Sequence, residues 1–338
     1  MSSRPLHIIS HTDLDGITAA ALAWHANFPK RRPMIVSLTG YGDVDNRIME
    51  CLEKEEDFLV TDLFCQRRQT VDAMDERFSH ENAPRVFDHH KSTLERYGRR
   101  PWSVVDTSCC AAMVYYRWVL QEGGLERAPK ERVSRMADLV EIANDRDLWI
   151  GKRREGRLWH ALVTLSGHWS VFCRLVADPS SKLQRAEETE AEEFVKRQEK
   201  RFHLALESVR REGKDLLFVD PGLLEFGDVS DFSGLILDRM DDPPRMAAVC
   251  NRKFAGDWSV SLRSREGLAG RIVGLLKDGD RIRGGGHGDA AALSFPPHYS
   301  PQQIRASLLS AIRSADEQQQ ETGLTLGDIF PDAAKDES

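Results

Sequence analysis

The chain is 338 residues long, with 41% hydrophobic and 30% charged residues and a formal net charge of −7. That balance excludes a disordered or fibrous protein, and at roughly 150 residues per domain it predicts two domains, each able to bury its own core. No apolar run approaches the ~18–20 residues that a membrane span needs.

The opening MSSRPLHIISHTDLDG has too short an apolar stretch for a signal peptide. The acid excess argues against coating long nucleic acid, which relies on many cationic contacts, but leaves room for a short anionic substrate in a local basic pocket. The cysteines (Cys51, Cys65, Cys109, Cys110, Cys173, Cys250) form no CxxC pair, so a reducing cytoplasm is expected. Adjacent Cys109 and Cys110 read as small buried residues.

The first ~90 residues alternate strand-like and helical segments. Strands are predicted over 6–10 (LHIIS), 33–39, 57–63 and 85–90, with helices over 16–28, 43–54 and 66–78. Such alternation predicts a parallel sheet with helices packed on its faces, whose ligands bind at the carboxyl ends of the strands. From Thr107 to about Ala177 the pattern is helical. Residues 182–213, dense in Glu, Lys and Arg, read as a long solvated helix joining two domains. A second domain begins near Asp215 with LLFVD. It has strands over 245–254 and 258–264 joined by an AGD turn, a helix over 268–277, a strand over 291–295 and a helix over 301–313. The tail from Asp316 is expected to be disordered.

Three predicted strand ends carry acids or imidazoles. SHTDLDG places His11, Asp13 and Asp15 at alternating positions, which in extended chain share one face. Asp62 ends LVTDL, and Asp88, His89 and His90 end RVFDHH. Each has a bland alternative: Asp13 as a helix cap, Asp62 as a turn residue, His89 as a satisfied polar group. Together they offer an O and N set suited to two divalent ions, Mn²⁺ above all, with Mg²⁺ or Co²⁺ as substitutes. The absence of thiolates argues against structural zinc. Two ions ~3.5–4 Å apart can share a hydroxide and stabilise in-line attack at phosphorus. In EIANDRDLWI, either Asp145 or Asp147 could add a carboxylate, the other pairing with a surface Arg.

RIRGGGHGDAAALSF carries Gly284, Gly285, Gly286 and His287 without the GK[ST] ending of a phosphate loop or a GxGxxG spacing. Residues 245–287 hold nine basic residues against four acids. Glycines let backbone N–H groups approach a phosphate and Arg grips it bidentately, which makes Arg263 and His287 candidates for holding a terminal phosphate or nucleotide. Trp258 could stack on a base, though a strand Trp is more often core.

HxDxDG, the lone Asp62, Asp88-His89-His90 and GGGH, in that order, resemble the DHH phosphoesterase superfamily with its DHH-associated domain, over roughly residues 6–315. SHTDLDG, TDL, DHHK, DLW and VSLRS with GGGH look most like the nanoRNase B type of short-oligonucleotide exonuclease. The resemblance implies an α/β metal-binding domain over 1–180, a helical linker over 181–214 and a smaller α/β substrate-binding domain over 215–315. It also implies an active site in the cleft between the domains. In the family pattern His11, Asp13 and Asp62 would hold one manganese ion, and Asp15, Asp62, His89 and Asp147 the other. His90 would contact the scissile phosphate or assist the leaving oxygen, Asp88 would orient the neighbouring histidines, and Arg263, Gly284–Gly286 and His287 would hold the substrate's far end. The chain departs from many relatives in spacing His11 two residues before Asp13 and in following GGGH with Gly288-Asp289.

The leading expectation is an Mn²⁺-dependent phosphodiesterase releasing 5′-mononucleotides from short RNA or linear dinucleotides. Alternatives are a pyrophosphatase or exopolyphosphatase, or an enzyme for cyclic dinucleotides or nucleotide 3′-phosphates. A non-catalytic nucleotide sensor would predict loss of a core ligand, and none is missing. Neither long nucleic acid nor a membrane is an expected partner; a homodimer is left open.

Overall fold

The short β-branched runs near the N-terminus become the strands of one parallel sheet. The computed structural model describes residues 4–28, 32–80, 84–121, 127–253, 255–278, 281–286 and 288–322. Strands Leu6–Ser10 (β1), Met34–Leu38 (β2), Asp57–Thr61 (β3), Val86–Asp88 (β4) and Ser103–Val105 (β5) lie in the order β2-β1-β3-β4-β5. All pairs are parallel, with Ile8 registered against Val36 on one side and Leu59 on the other. Helices Leu14–Asn27 (α1), Val44–Glu53 (α2), Arg68–Phe78 (α3) and Lys91–Tyr97 (α4) connect them.

Because helices cover both faces, the central strands are apolar on both sides. Leu6, Ile8, Leu59 and Phe87 face one core, which contains α1. Ile9, Phe58, Val60 and Val86 face the other, with Val44 and Ile48 of α2 and Val71 and Met74 of α3. Each such side chain, fully buried, contributes about 1.5–3 kcal/mol. The sequence LDGITAAALAWHAN is apolar around nearly its whole circumference, so α1 is an interior helix. It packs against Ala111–Gln121 (α5), Arg127–Arg135 (α6), Ala137–Asp147 (α7) and His168–Ala177 (α9), with Arg154–Ser166 (α8) between the last two in sequence. The strand order reverses between β1 and β3, and the carboxyl ends flanking such a reversal leave an open crevice.

The chain divides into two units, Met1–Lys196 and Arg197–Ser338, with the division inside the long helix Arg185–Ser208 (α10). This helix is less solvated than its charge suggests. Ala191 and Phe194 pack on Leu158 and Ala161 in the first unit, while Phe202 and Ala205 join a core of the second. It is therefore part of both units rather than a separate linker.

In the second unit Arg210–Glu212 (β6), Leu216–Val219 (β7), Met246–Arg252 (β8), Trp258–Ser264 (β9), Arg283–Gly286 (β10) and Ala290–Phe295 (β11) form a mixed sheet ordered β10-β11-β9-β8-β7-β6. Leu268–Leu276 (α12) and Pro301–Thr322 (α13) cover one face, and Val229–Arg239 (α11) packs on β8 and β9 from the other.

Three expectations are corrected here. The segment 182–213 ends in a strand, β6, short and charged enough to leave no apolar pattern. The glycine run, expected to offer its backbone N–H groups to a phosphate, is an edge strand paired with β11 from Arg283–Ser294 to Gly286–Ala291. The expected tail is helical as far as Thr322: Ile312 and Ala315 of α13 are buried in the core of the second unit, and Asp316 forms a bidentate ion pair at 2.6 and 2.8 Å with Arg245, just before β8. Residues 323–338 lie outside the described residues.

Candidate metal centre

Local sequence explains how the strand ends converge. Ser10 Oγ lies 2.7 Å from both Thr61 Oγ1 and the Gly16 carbonyl oxygen, fastening the ends of β1 and β3 to the start of α1. A Cβ at Gly16 would lie 2.6 Å from the His11 carbonyl oxygen, so only glycine permits this tight entry. Asp13 caps α1 by accepting from the Gly16 N–H at 3.0 Å, and its other oxygen faces His11 Nδ1 at 2.8 Å. Cap and candidate ligand are thus the same residue.

Asp15 reaches the centre by a different route from the one expected. It sits in the first turn of α1, not in extended chain. Its carboxylate accepts from the backbone N–H groups of Ala111 and Ala112 at 2.8 Å each, at the positive end of α5.

Asp62 is the residue around which the others gather. Its backbone is in the left-handed region at φ 59°, a conformation that Asp tolerates better than most residues. Oδ1 lies 3.3 Å from His89 Nε2 and Oδ2 lies 3.8 Å from His11 Nδ1. The buried Oδ2 accepts no hydrogen bond from any described N–H or hydroxyl. His89 Nε2 is also 3.5 Å from Asp147 Oδ2 and 3.9 Å from Asp15 Oδ2. In three groups, His11–Asp13–Asp62, Asp15–His89–Asp147 and Asp62–His89–His90, one donor atom per residue lies within 4.8 Å of the others.

The electrostatics fit a cation site. Burial, then the neighbouring carboxylates Asp13, Asp15, Asp147 and Asp88, push the Asp62 carboxyl well above its ordinary value. Asp147 is pushed up to about 8 by burial and by Asp15 and Asp13. Asp15 is raised by burial, although His89 opposes the shift. Burial lowers the pKa of His89 and favours the neutral imidazole that ligates metal. Oxygen and imidazole donors, an orphaned buried carboxylate oxygen and crowded negative charge together suit divalent cations.

Asp88 belongs to none of these three groups, whereas His90 belongs to one of them and is bonded to Asp88. His90 Nδ1 lies 2.7 Å from Asp88 Oδ1, and Thr93 Oγ1 donates to Asp88 Oδ2 at 2.7 Å. Burial opposes protonation of His90, but the hydrogen bond and charge of Asp88, then Asp147 and Asp13, raise its pKa. Tyr41 was not foreseen. Its hydroxyl lies 2.8 Å from His90 Nε2, and its ring is 5.7 Å from that of His11. The only sequence signal was its place, just past the carboxyl end of β2.

Asp147 and Asp145 divide as expected in number but not in kind. Asp147 joins the centre, whereas buried Asp145 accepts from the backbone N–H groups of Lys152 and Arg153 at 2.9 and 3.1 Å. It shapes a loop instead of pairing with a surface Arg.

In the second unit Arg263 is partly buried on β9. It donates to the Leu262 carbonyl at 3.0 Å and Ser230 Oγ at 3.3 Å, with no carboxylate partner among the described residues. Burial lowers its pKa. Other basic residues there are committed, Arg245 to Asp215 and Asp316 and Arg283 to Asp257. Trp258 is core, its Nε1 donating to the Tyr299 carbonyl at 2.7 Å.

The glycines serve the sheet. A Cβ at Gly284 would meet Leu293 Cδ2 at 2.7 Å, and Gly286, at φ 139°, would meet the Ala291 Cα at 2.4 Å. A cleft of about 330 Å³ lies along this edge between Lys253, Ser259, Arg283, Gly284 and Ser294. Asp289 is explained too: its Oδ1 accepts from the Gly267 N–H at 2.7 Å, just before α12. His287 lies outside the described residues.

No family model matches the chain, and no curated protein is similar to it in sequence. Solved structures do share its fold. An exonuclease RecJ bound to manganese is 16% identical with a TM-score of 0.61, covering 92% of this chain and 91% of that one. RecJ from Thermus thermophilus in complex with Mn²⁺ is 16% identical with a TM-score of 0.57, covering 92% of this chain. The match spans about half of that protein, at 52%. The likeness shows a common fold: a parallel sheet flanked by helices, followed by a second sheet-bearing unit.

Proposed function

We propose that the chain is a divalent-metal-dependent phosphodiesterase that hydrolyses short oligonucleotides to 5′-mononucleotides, with Mn²⁺ as its ion. The observation that carries this reading is the gathering of His11, Asp13, Asp15, His89 and Asp147 around the orphaned carboxylate of Asp62, at the strand-order reversal. His11, Asp13 and Asp62 would hold one ion, and Asp15, Asp62, His89 and Asp147 a second. When bound, such ions supply positive charge against a phosphoryl group and acidify water. The ions carried by the RecJ structures, which have the same fold, are manganese and, in one case, magnesium, and support a divalent cation.

The chain's own groups account for the rest. His90, bonded to Asp88 through Nδ1 and to the Tyr41 hydroxyl through Nε2, favours its protonated form, and its Nε2–H would donate to a phosphate or to the leaving oxygen in exchange for the Tyr41 hydroxyl. Asp88, buried and bonded to both His90 and Thr93, fixes the imidazole's orientation. Arg263, without a carboxylate partner among the described residues, is suited to grip a phosphate. A net charge of −7 favours a short substrate over a long polyanion.

The test is a product time course with Mn²⁺ on a 5′-labelled RNA ladder from two to about twenty nucleotides, run beside pyrophosphate, polyphosphate and cyclic dinucleotides. Fast conversion of the shortest oligomers to mononucleotides, with long RNA spared, is the expected result. Phosphate release from pyrophosphate or polyphosphate with RNA untouched would overturn the substrate assignment.

A further inference from the structure

The end of α7 carries a feature the metal centre does not explain. The helix closes with a left-handed cap in which the Ile150 N–H donates to the Asp145 carbonyl at 3.0 Å and the Trp149 N–H to the Arg146 carbonyl at 3.4 Å. The residue in the left-handed position of such a cap is usually glycine. Here it is Trp149, at φ 56°, a conformation unfavourable for a bulky side chain. The ring is not needed by the core, since Trp149 is 44% exposed and its neighbour Ile150 45%.

The ring is nonetheless held in place. The Arg146 guanidinium carbon sits 4.4 Å from its centroid, and the charge of Arg146 is felt at Asp147. Asp147 is in turn 3.5 Å from His89. The surrounding backbone is fixed by Asp145, which accepts from Lys152 and Arg153, and by Asn144 Oδ1, which accepts from the Cys110 N–H at 2.8 Å. An unfavourable backbone kept for an exposed, cation-backed aromatic two residues from a candidate ligand points to a ligand that stacks.

We infer that Trp149 is a stacking platform for a nucleobase of the nucleotide whose phosphate is engaged at the Asp62 centre. This rests on the phosphodiesterase reading. It makes Trp149 a determinant of base-containing over base-free substrates, tolerant of base identity because every base offers a π-face.

The experiment compares wild type with Trp149→Gly and Trp149→Phe. Calorimetry in Mn²⁺ buffer measures binding of adenosine monophosphate and of base-free ribose 5-phosphate, and melting is followed in parallel. Wild type should prefer the nucleotide by about 10-fold or more. Trp149→Gly should erase that preference, leave ribose 5-phosphate binding unchanged and keep or raise Tm, since glycine suits the backbone. Trp149→Phe should retain most of the preference. Equal binding of the two probes by wild type, or a preference that survives in Trp149→Gly, overturns the platform. So does a fall in Tm with loss of both probes, which would make Trp149 structural. Dinucleotide hydrolysis, assayed alongside, separates the two readings. Normal turnover by Trp149→Gly without a change in KM leaves the hydrolase standing and the platform refuted. A Trp149-dependent nucleotide preference without any hydrolysis does the reverse.

Discussion

Asp62 combines a left-handed backbone, near-complete burial and an oxygen that accepts from no described donor, each costing on the order of 1 kcal/mol or more. Strain of this kind persists where function requires it. Asp62→Asn keeps the shape and tolerates the same φ, so the fold should survive while metal-dependent turnover falls at least about 100-fold. Near-normal turnover would remove Asp62 from the centre. The variant also removes a crowded charge, so the metal-free protein should melt higher than wild type at pH 8. Tyr41→Phe deletes one hydrogen bond to His90, a loss of about 0.5–1.5 kcal/mol, and should lower kcat about 3- to 10-fold with little change in KM. An unchanged kcat would show that Asp88 alone orients His90.

At the scale of elements, β10 separates two readings of its glycines. Gly284→Ala and Gly286→Ala should each destabilise by about 1–3 kcal/mol through overpacking. Gly285→Ala, which meets nothing within 4 Å, should melt within about 0.5 kcal/mol of wild type. Equal losses at all three positions would refute this packing account. The long strands and α1 were legible because their apolar runs are continuous. Strands β5, β6 and β10 were not, being short, charged or made of glycine, so that pairing rather than pattern defines them. In the same way His11, Asp13, Asp62 and Asp88-His89-His90 stood out at strand ends, whereas Tyr41 and Thr93 enter only through tertiary contacts that no local spacing encodes.

Over the whole molecule the centre dictates a pH profile. Asp15, Asp62 and Asp147 have folded pKa values raised above the unfolded ones, Asp147 to about 8. In that range the native state holds more protons than the unfolded chain, so their contribution to stability falls as pH rises from about 4 towards 8. His11 and His90, raised mainly by hydrogen bonds to Asp13 and Asp88 against the opposing effect of burial, act in the same direction. Lowered His89 opposes them, and lowered Asp13 and Asp88 add stability that is lost only in stronger acid. The metal-free protein should therefore melt highest in mild acid, with a lower Tm at pH 8 than at pH 5.5. Mn²⁺ should raise Tm more at the higher pH, because protons and cations compete for the same oxygens. A metal-free Tm that climbs steadily to pH 8 would contradict the crowded-carboxylate account.

The most direct test of the centre is a Mn²⁺ titration of metal-free protein at pH 8, followed by the electron paramagnetic resonance signal of the free ion. Two ions taken up per chain by wild type, with at least one lost in Asp62→Asn, is the predicted result. Wild type that takes up no Mn²⁺, or Asp62→Asn that binds it as wild type does, would contradict the claim that these residues form a metal centre.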